Sequence, residues 1–138
     1  MTNDERTKAR KKVLVVDDEA DMVVSLAAML EDHGYEAVQA RSAEEAFMRI
    51  MESRPDLVCL DIMMPGQSGI ALYRKLKLDE RTKGIPAVFI SAFSMARDFT
   101  GTGFRKLIPE PAVPEPAAYL EKPFKADRLL EIIREVIG

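Results

Sequence analysis

Three short apolar runs, "VLVVD" at 13–17, "PDLVCLD" at 55–61 and "IPAVFISA" at 85–92, are separated by segments whose apolar residues recur at helical spacing. An unbroken apolar run of four or five residues suits a strand covered on both faces. Strands of that kind, alternating with amphipathic helices, constrain the chain to an α/β fold. The sheet is open and mainly parallel, with helices on both faces and right-handed crossovers.

The remaining segments fit this frame. After a charged arm over residues 1–11, the first strand begins at about Lys12, and Met22, Leu26, Met29 and Leu30 then fall at helical spacing until "HGY" stops the run. "YEAVQA" alternates as a strand. Ser42 with Glu45 three residues later forms a capping-box pattern, and Ala43, Ala46, Phe47, Ile50 and Met51 share one face of the helix that follows. "GIALYRKLKLDE" reads as a third helix, with Gly69 weakening its first turn. Pro86 suits the start of the fourth strand but not its middle. "AAYLE" is a brief fifth strand, and Leu129, Ile132, Ile133 and Val136 mark one face of a closing helix. With 138 residues, 47% of them hydrophobic, one domain over 12–138 is expected.

Charge and cysteine usage exclude several classes. Twenty basic against 23 acidic residues give a net charge of −3, and no basic block marks a nucleic-acid surface. Cys59 has no partner for an intrachain disulfide and no zinc-type spacing. The absence of a membrane-length apolar run or a signal-type segment predicts a soluble, cytoplasmic protein with no membrane insertion. No glycine-rich nucleotide fingerprint follows the first strand. His33 falls near a helix C-terminus, where it can satisfy a terminal carbonyl, and lacks companions for a metal site.

In open parallel sheets ligands bind beyond the carboxyl ends of the strands. That rule gathers Asp17 and Asp18 after strand one, Asp61 at the end of strand three, Ser91 at the end of strand four and Lys122 after strand five. Taken singly, each fits a solvated group at a strand end; their common edge is the informative feature. Adjacent carboxylates repel unless a cation compensates them, and Mg2+ favours hard oxygen ligands. Asp18 and Asp61 are the expected ligands, with Asp17 behind them or acting through water, and Met63 offering its backbone carbonyl. A phosphoryl group on Asp61 would call for a cation, a hydroxyl and an ammonium, which Mg2+, Ser91 and Lys122 would supply.

The acidic pair Asp17 and Asp18, Asp61 followed by "IMMPGQSG", Ser91 with Ala92, and "Y..EKPF" around Lys122 resemble the receiver domain of two-component response regulators, from about Lys12 to Gly138. The resemblance implies a flavodoxin-like five-stranded sheet in the order 2-1-3-4-5. It also implies that Asp61 accepts a phosphoryl group from a histidine kinase or histidine phosphotransfer protein. Asp17 and Asp18 would organise Mg2+, Lys122 would contact the phosphoryl group, and Ser91 and Tyr119 would form the switch. A cis bond between Lys122 and Pro123 is implied, with Pro65, Gly66 and Gly69 forming the turn into helix three. Met63 and Phe93 would border the path of hydrolytic water. Chemistry would be limited to Mg2+-dependent self-phosphorylation and self-dephosphorylation, without turnover of an external substrate.

The departure from the family is the segment 93–118. Ser91 and Lys122 stand 31 positions apart, more than the family usually shows. Gly101 and Gly103 weaken a fourth helix, and Pro109, Pro111, Pro114 and Pro116 predict an extended, stiff loop. Phe99 and Phe104 are candidates for a protein-binding patch or for ordinary core. A chain ending directly after its last helix leads to the expectation of output through another protein. Two other classes fit less well. One is a phosphorylation-independent receiver-like scaffold; the other is a Mg2+-dependent phosphatase with Asp61 as nucleophile. Enzymes of the haloacid-dehalogenase type place that nucleophile after the first strand in an Asp-x-Asp arrangement, and this chain does not.

Overall fold

The computed structural model of the chain describes residues 10–92 and 102–138. Strands β1 (Lys12–Val16), β2 (Glu36–Ala40), β3 (Leu57–Asp61), β4 (Ala87–Ala92) and β5 (Ala118–Lys122) form one parallel sheet in the order β2-β1-β3-β4-β5. Between and after them run α1 (Ala20–Asp32), α2 (Ala43–Ser53), α3 (Ser68–Leu78), α4 (Thr102–Leu107) and α5 (Ala126–Ile137). The two-residue period of the strands divides the core. Val13, Val15, Cys59, Val88 and Ile90 face α1 and α5, while Leu14, Val16, Leu60 and Phe89 face α2, α3 and α4. All five residues of β3 are buried, as an apolar run covered on both sides requires. Among the described residues no helix is long and apolar enough to cross a membrane.

Local signals place most ends. His33 Nδ1 donates to the Met29 carbonyl at 2.8 Å, closing α1. Ser42 Oγ accepts from Glu45 N–H at 3.0 Å, but the reciprocal arm reaches one residue further back than a standard box, with Glu45 Oε1 accepting from Arg41 N–H at 2.7 Å. Met51, placed by periodicity on the apolar face of α2, is exposed; the buried stripe is Ala46 and Ile50. Of the charged arm, residues 1–9 lie outside the described residues. Arg10 donates to Glu31 at 2.6 Å and to the Tyr35 carbonyl, so the chain is tied to α1 before it enters β1.

Gly69 does more than weaken a turn. A Cβ there would lie 2.6 Å from the Asp61 carbonyl oxygen and 2.8 Å from Ile62 Cα. Only glycine lets the start of α3 close on the end of β3 this tightly. The preceding 3-10 turn, Pro65–Gln67, carries Gly66 at φ 70°, which also favours glycine.

The segment before β5 departs from the expected form. Residues 93–101, with Phe93 and Phe99, lie outside the described residues. Despite Gly103, Thr102–Leu107 is a helix of six residues, anchored by Phe104. That ring is fully buried against Tyr73 and Phe89, with centroids 6.3 and 6.4 Å away, so Phe104 is core and not a surface patch. The proline-rich stretch after it is not extended throughout. Val113 N–H turns back to the Glu110 carbonyl at 3.1 Å, and Ile108, Val113 and Pro116 are buried. The Tyr73 hydroxyl donates to the Pro114 carbonyl at 2.6 Å, Arg74 pairs with Glu110, and Ala117 N–H donates to the Ala87 carbonyl at 2.8 Å. β5 is therefore a short edge strand between Pro116 and Pro123, and the Lys122–Pro123 bond is cis.

Candidate functional site

Strand order reverses between β1 and β3, because β1 connects to β2 on one side while the chain continues to β3 on the other. At this crevice Asp17 follows β1 and Asp61 ends β3. Asp17 N–H donates to the Ala40 carbonyl at 3.1 Å, which fixes its backbone to the end of β2. Both its carboxylate oxygens are engaged: Oδ1 accepts from Glu19 N–H and Oδ2 from Lys122 Nζ, each at 2.9 Å. Asp61 Oδ1 accepts from Met63 N–H at 2.8 Å, while Oδ2 lies 3.5 Å from Lys122 Nζ. Asp17 and Asp61 are buried, and Asp18 beside them is exposed.

Burial pushes the Asp61 carboxyl above the usual carboxylate range. The Met63 N–H opposes that rise, the charge of Asp17 adds to it, and Lys122 counters it. For Lys122 burial alone would depress the ammonium, but the Asp17 hydrogen bond and the charges of Asp61, Asp17 and Glu19 outweigh it and raise it. Asp17, Asp18 and Asp61 each offer an oxygen within 4.8 Å of the others. One ammonium does not balance three such carboxylates. A hard-oxygen set of this kind can chelate a divalent cation. Because protein donors already occupy both oxygens of Asp17, Asp18 and Asp61 are the more available donors.

The other expected residues lie on the same edge in varying degrees of contact. Met63 stands beside the cluster through its N–H, with an exposed side chain. Ser91 is 1% exposed, and its Oγ has no hydrogen-bond partner among the described residues. The β4–β5 register sets Phe89 opposite Tyr119 and Ser91 opposite Glu121, which places Ser91 and Tyr119 one two-residue step apart. The Tyr119 ring packs edge-on against Phe89 at 5.8 Å, and its hydroxyl donates to Glu115 Oε1 at 3.0 Å. Burial first, and Glu115 second, push that hydroxyl well above the ordinary tyrosine value, so it remains a donor.

Two acids were not singled out from the sequence. Glu19 lies 3.7 Å from Lys122 Nζ, and its place in "DDE" directly after β1 was a usable signal. Glu115 offered none, since its contact depends on the folded loop.

Comparison with known proteins agrees with this geometry. Residues 13–134 match the family model described as response regulator receiver domain. The chain is 31% identical over 130 residues to the polar-differentiation response regulator DivK of Brucella ovis, covering 93% of this chain and 97% of DivK. It is 45% identical over 82 residues to the phosphate regulon transcriptional regulatory protein PhoB of Pseudomonas aeruginosa, covering 59% of this chain and only 36% of PhoB. A solved response regulator receiver protein from Pseudomonas putida matches with a TM-score of 0.75 at 29% identity, over 92% of this chain and 98% of that one. The chemotaxis response regulator CheY4 of Vibrio cholerae shares the fold, with a TM-score of 0.77 at 22% identity over 94% and 100% of the two chains.

Proposed function

The chain belongs to the response regulator receiver domain family, and from that premise we propose that it is a phosphoacceptor switch whose protein binding changes when Asp61 is modified. The observation that carries this reading is the state of Asp61, with one oxygen held by Met63 N–H and the other turned to the Lys122 side inside a carboxylate cluster.

The donor is a phosphohistidine on a histidine kinase or a histidine phosphotransfer protein. Asp61 Oδ2 attacks phosphorus; the O–P bond forms, the P–N bond breaks, and the departing imidazole nitrogen keeps the electron pair and takes up a proton. Asp18 and Asp61, with Asp17 behind them and the Met63 carbonyl, would hold Mg2+, which when bound supplies charge neutralisation between carboxylate and phosphoryl oxygens. Lys122 moves its ammonium from Asp17 toward the new phosphoryl charge. Ser91 Oγ, without a hydrogen-bond partner among the described residues, gains an acceptor there, and Tyr119 follows as the second part of the switch. Attack of water on phosphorus returns Asp61 and releases phosphate, so the chemistry stays within this chain. The partners are a phosphodonor protein and a downstream protein, in the cytoplasm, without nucleic-acid binding or membrane insertion. Residues 12–138 act as the receiver unit.

Intact-mass measurement after incubation with Mg2+ and a small phosphodonor tests this. One phosphoryl adduct is expected on the unmodified sequence and none on Asp61→Asn. Chelation or Asp18→Asn should greatly reduce it, while Glu52→Gln, on the exposed surface, leaves it unchanged. Labelling without a divalent cation, or on another residue, would overturn the assignment. The phosphorylation-independent scaffold is the second reading, favoured by the anchoring of residues 108–117 onto α3 through Tyr73 and Arg74. Partner binding that is equal for the sequence as it stands and for Asp61→Asn would select it.

A further inference from the structure

The loop before β5 delivers one carboxylate to one hydroxyl. Glu115 sits between Pro114, whose carbonyl is held by the buried Tyr73 hydroxyl, and Pro116, which is itself buried. Two residues on, Ala117 N–H is fixed to the Ala87 carbonyl. With both flanks anchored and proline on either side, Glu115 is presented in a fixed place, where it accepts the Tyr119 hydroxyl at 3.0 Å. Tyr119 is only partly buried, and its ring rests against Phe89 on the face that Ser91 shares.

We propose that Glu115 is a positioning residue that holds Tyr119 in its resting place, so that the proline-rich loop acts as a built-in brake on the switch. The inference rests on the phosphoacceptor reading. Ser91 Oγ is buried without a partner among the described residues, and a phosphoryl group on Asp61 offers it one. Drawing Ser91 toward Asp61 opens volume beside Phe89, and the ring of Tyr119 is the neighbouring group placed to fill it. To do so it must leave Glu115. The carboxylate thus favours one of two packings, and modification has to outweigh it.

Beryllium fluoride with Mg2+, a mimic of a phosphoryl group on a carboxylate, provides the test. It is titrated against the protein, Glu115→Ala, Tyr119→Phe and the double variant, with binding followed by backbone NMR at residues 118–122. Losing one exposed, charge-assisted hydrogen bond should raise the apparent affinity about fivefold in Glu115→Ala. Glu115→Gln, which keeps an uncharged acceptor, should fall between. In the Tyr119→Phe background Glu115→Ala should add nothing further. An affinity for Glu115→Ala equal to that of the unmodified sequence would overturn the brake, as would a gain undiminished in Tyr119→Phe. Binding to none of the four would instead remove the phosphoacceptor reading, and this inference with it.

Discussion

Lys122 is hydrogen-bonded to Asp17 and only ion-paired with Asp61: its Nζ lies 2.9 Å from Asp17 Oδ2 and 3.5 Å from Asp61 Oδ2. The ammonium therefore rests on a residue that is not the proposed acceptor, within reach of the one that is. The same pairing neutralises a carboxylate with almost no solvent contact.

Removing that ammonium should be costly. Lys122→Ala leaves Asp17 buried and unpaired, with an expected loss of about 3 kcal/mol and a fall of roughly 10 °C in the unfolding midpoint. Asp17→Asn combined with Lys122→Ala should recover at least half of the loss. Equal midpoints for the single and double variants would show that the pair contributes nothing.

Asp61 carries the opposite sign. Its carboxyl is raised by burial, so the folded chain binds that proton more tightly than the unfolded chain. Stability therefore falls as pH rises from the unfolded carboxylate value through the raised folded one, and stays lower above it. Asp61→Asn should remove that slope and, without divalent cations, raise the midpoint at neutral pH by a few degrees, about 1 kcal/mol. A lowered midpoint would mean that the contacts with Met63 and Lys122 outweigh the burial.

Gly69→Ala tests the junction of β3 and α3. The new methyl would meet the backbone of Asp61 and Ile62, so about 2 kcal/mol of destabilisation is expected, with slower labelling of Asp61 because its carrier strand shifts. Chemical denaturation and the adduct time course report the two effects separately. An unchanged midpoint would refute the steric reading.

Tyr73→Phe keeps the core ring but removes the donor to Pro114. The amides of Val113 and Ala117, each hydrogen-bonded at rest, should exchange about fivefold faster, while those of β1 and β3 stay unchanged. A uniform increase across the sheet would indicate global destabilisation instead.

Met63 presents an exposed thioether chain two residues beyond Asp61. Replacing it by Asn should shorten the lifetime of the acyl phosphate severalfold, because a small polar group admits and orients water more readily. A lifetime unchanged after Met63→Asn would assign the side chain to packing alone.

The alternation of strands and helices, and with it the convergence of Asp17, Asp18, Asp61 and Lys122, was legible because it depends on local periodicity and a topological rule. Residues 102–117 were not, since there local propensity and tertiary packing disagree. Gly103 and the prolines argue against regular structure, while burial of Phe104, Ile108 and Val113 imposes a helix and a turn. The Tyr73–Pro114 bond joins positions 41 apart, and no pattern in either neighbourhood announces it. Spacing also placed the right charges on one edge without deciding between them, because the hydrogen bond of Lys122 to Asp17 depends on where the fold sets both side chains.

The bracketing of β5 by Pro116 and Pro123 bears on how the chain avoids its own kind. An edge strand offers a row of unmatched amides and carbonyls on which another chain can template. Here Pro116 and Pro123 have no N–H to lend and the Ala117 N–H is already given to the Ala87 carbonyl, so an incoming strand would find only the five residues of β5, two of which, Glu121 and Lys122, carry opposite charges. The strand that carries Tyr119 can thus lie at the rim of the sheet without inviting fibrous association.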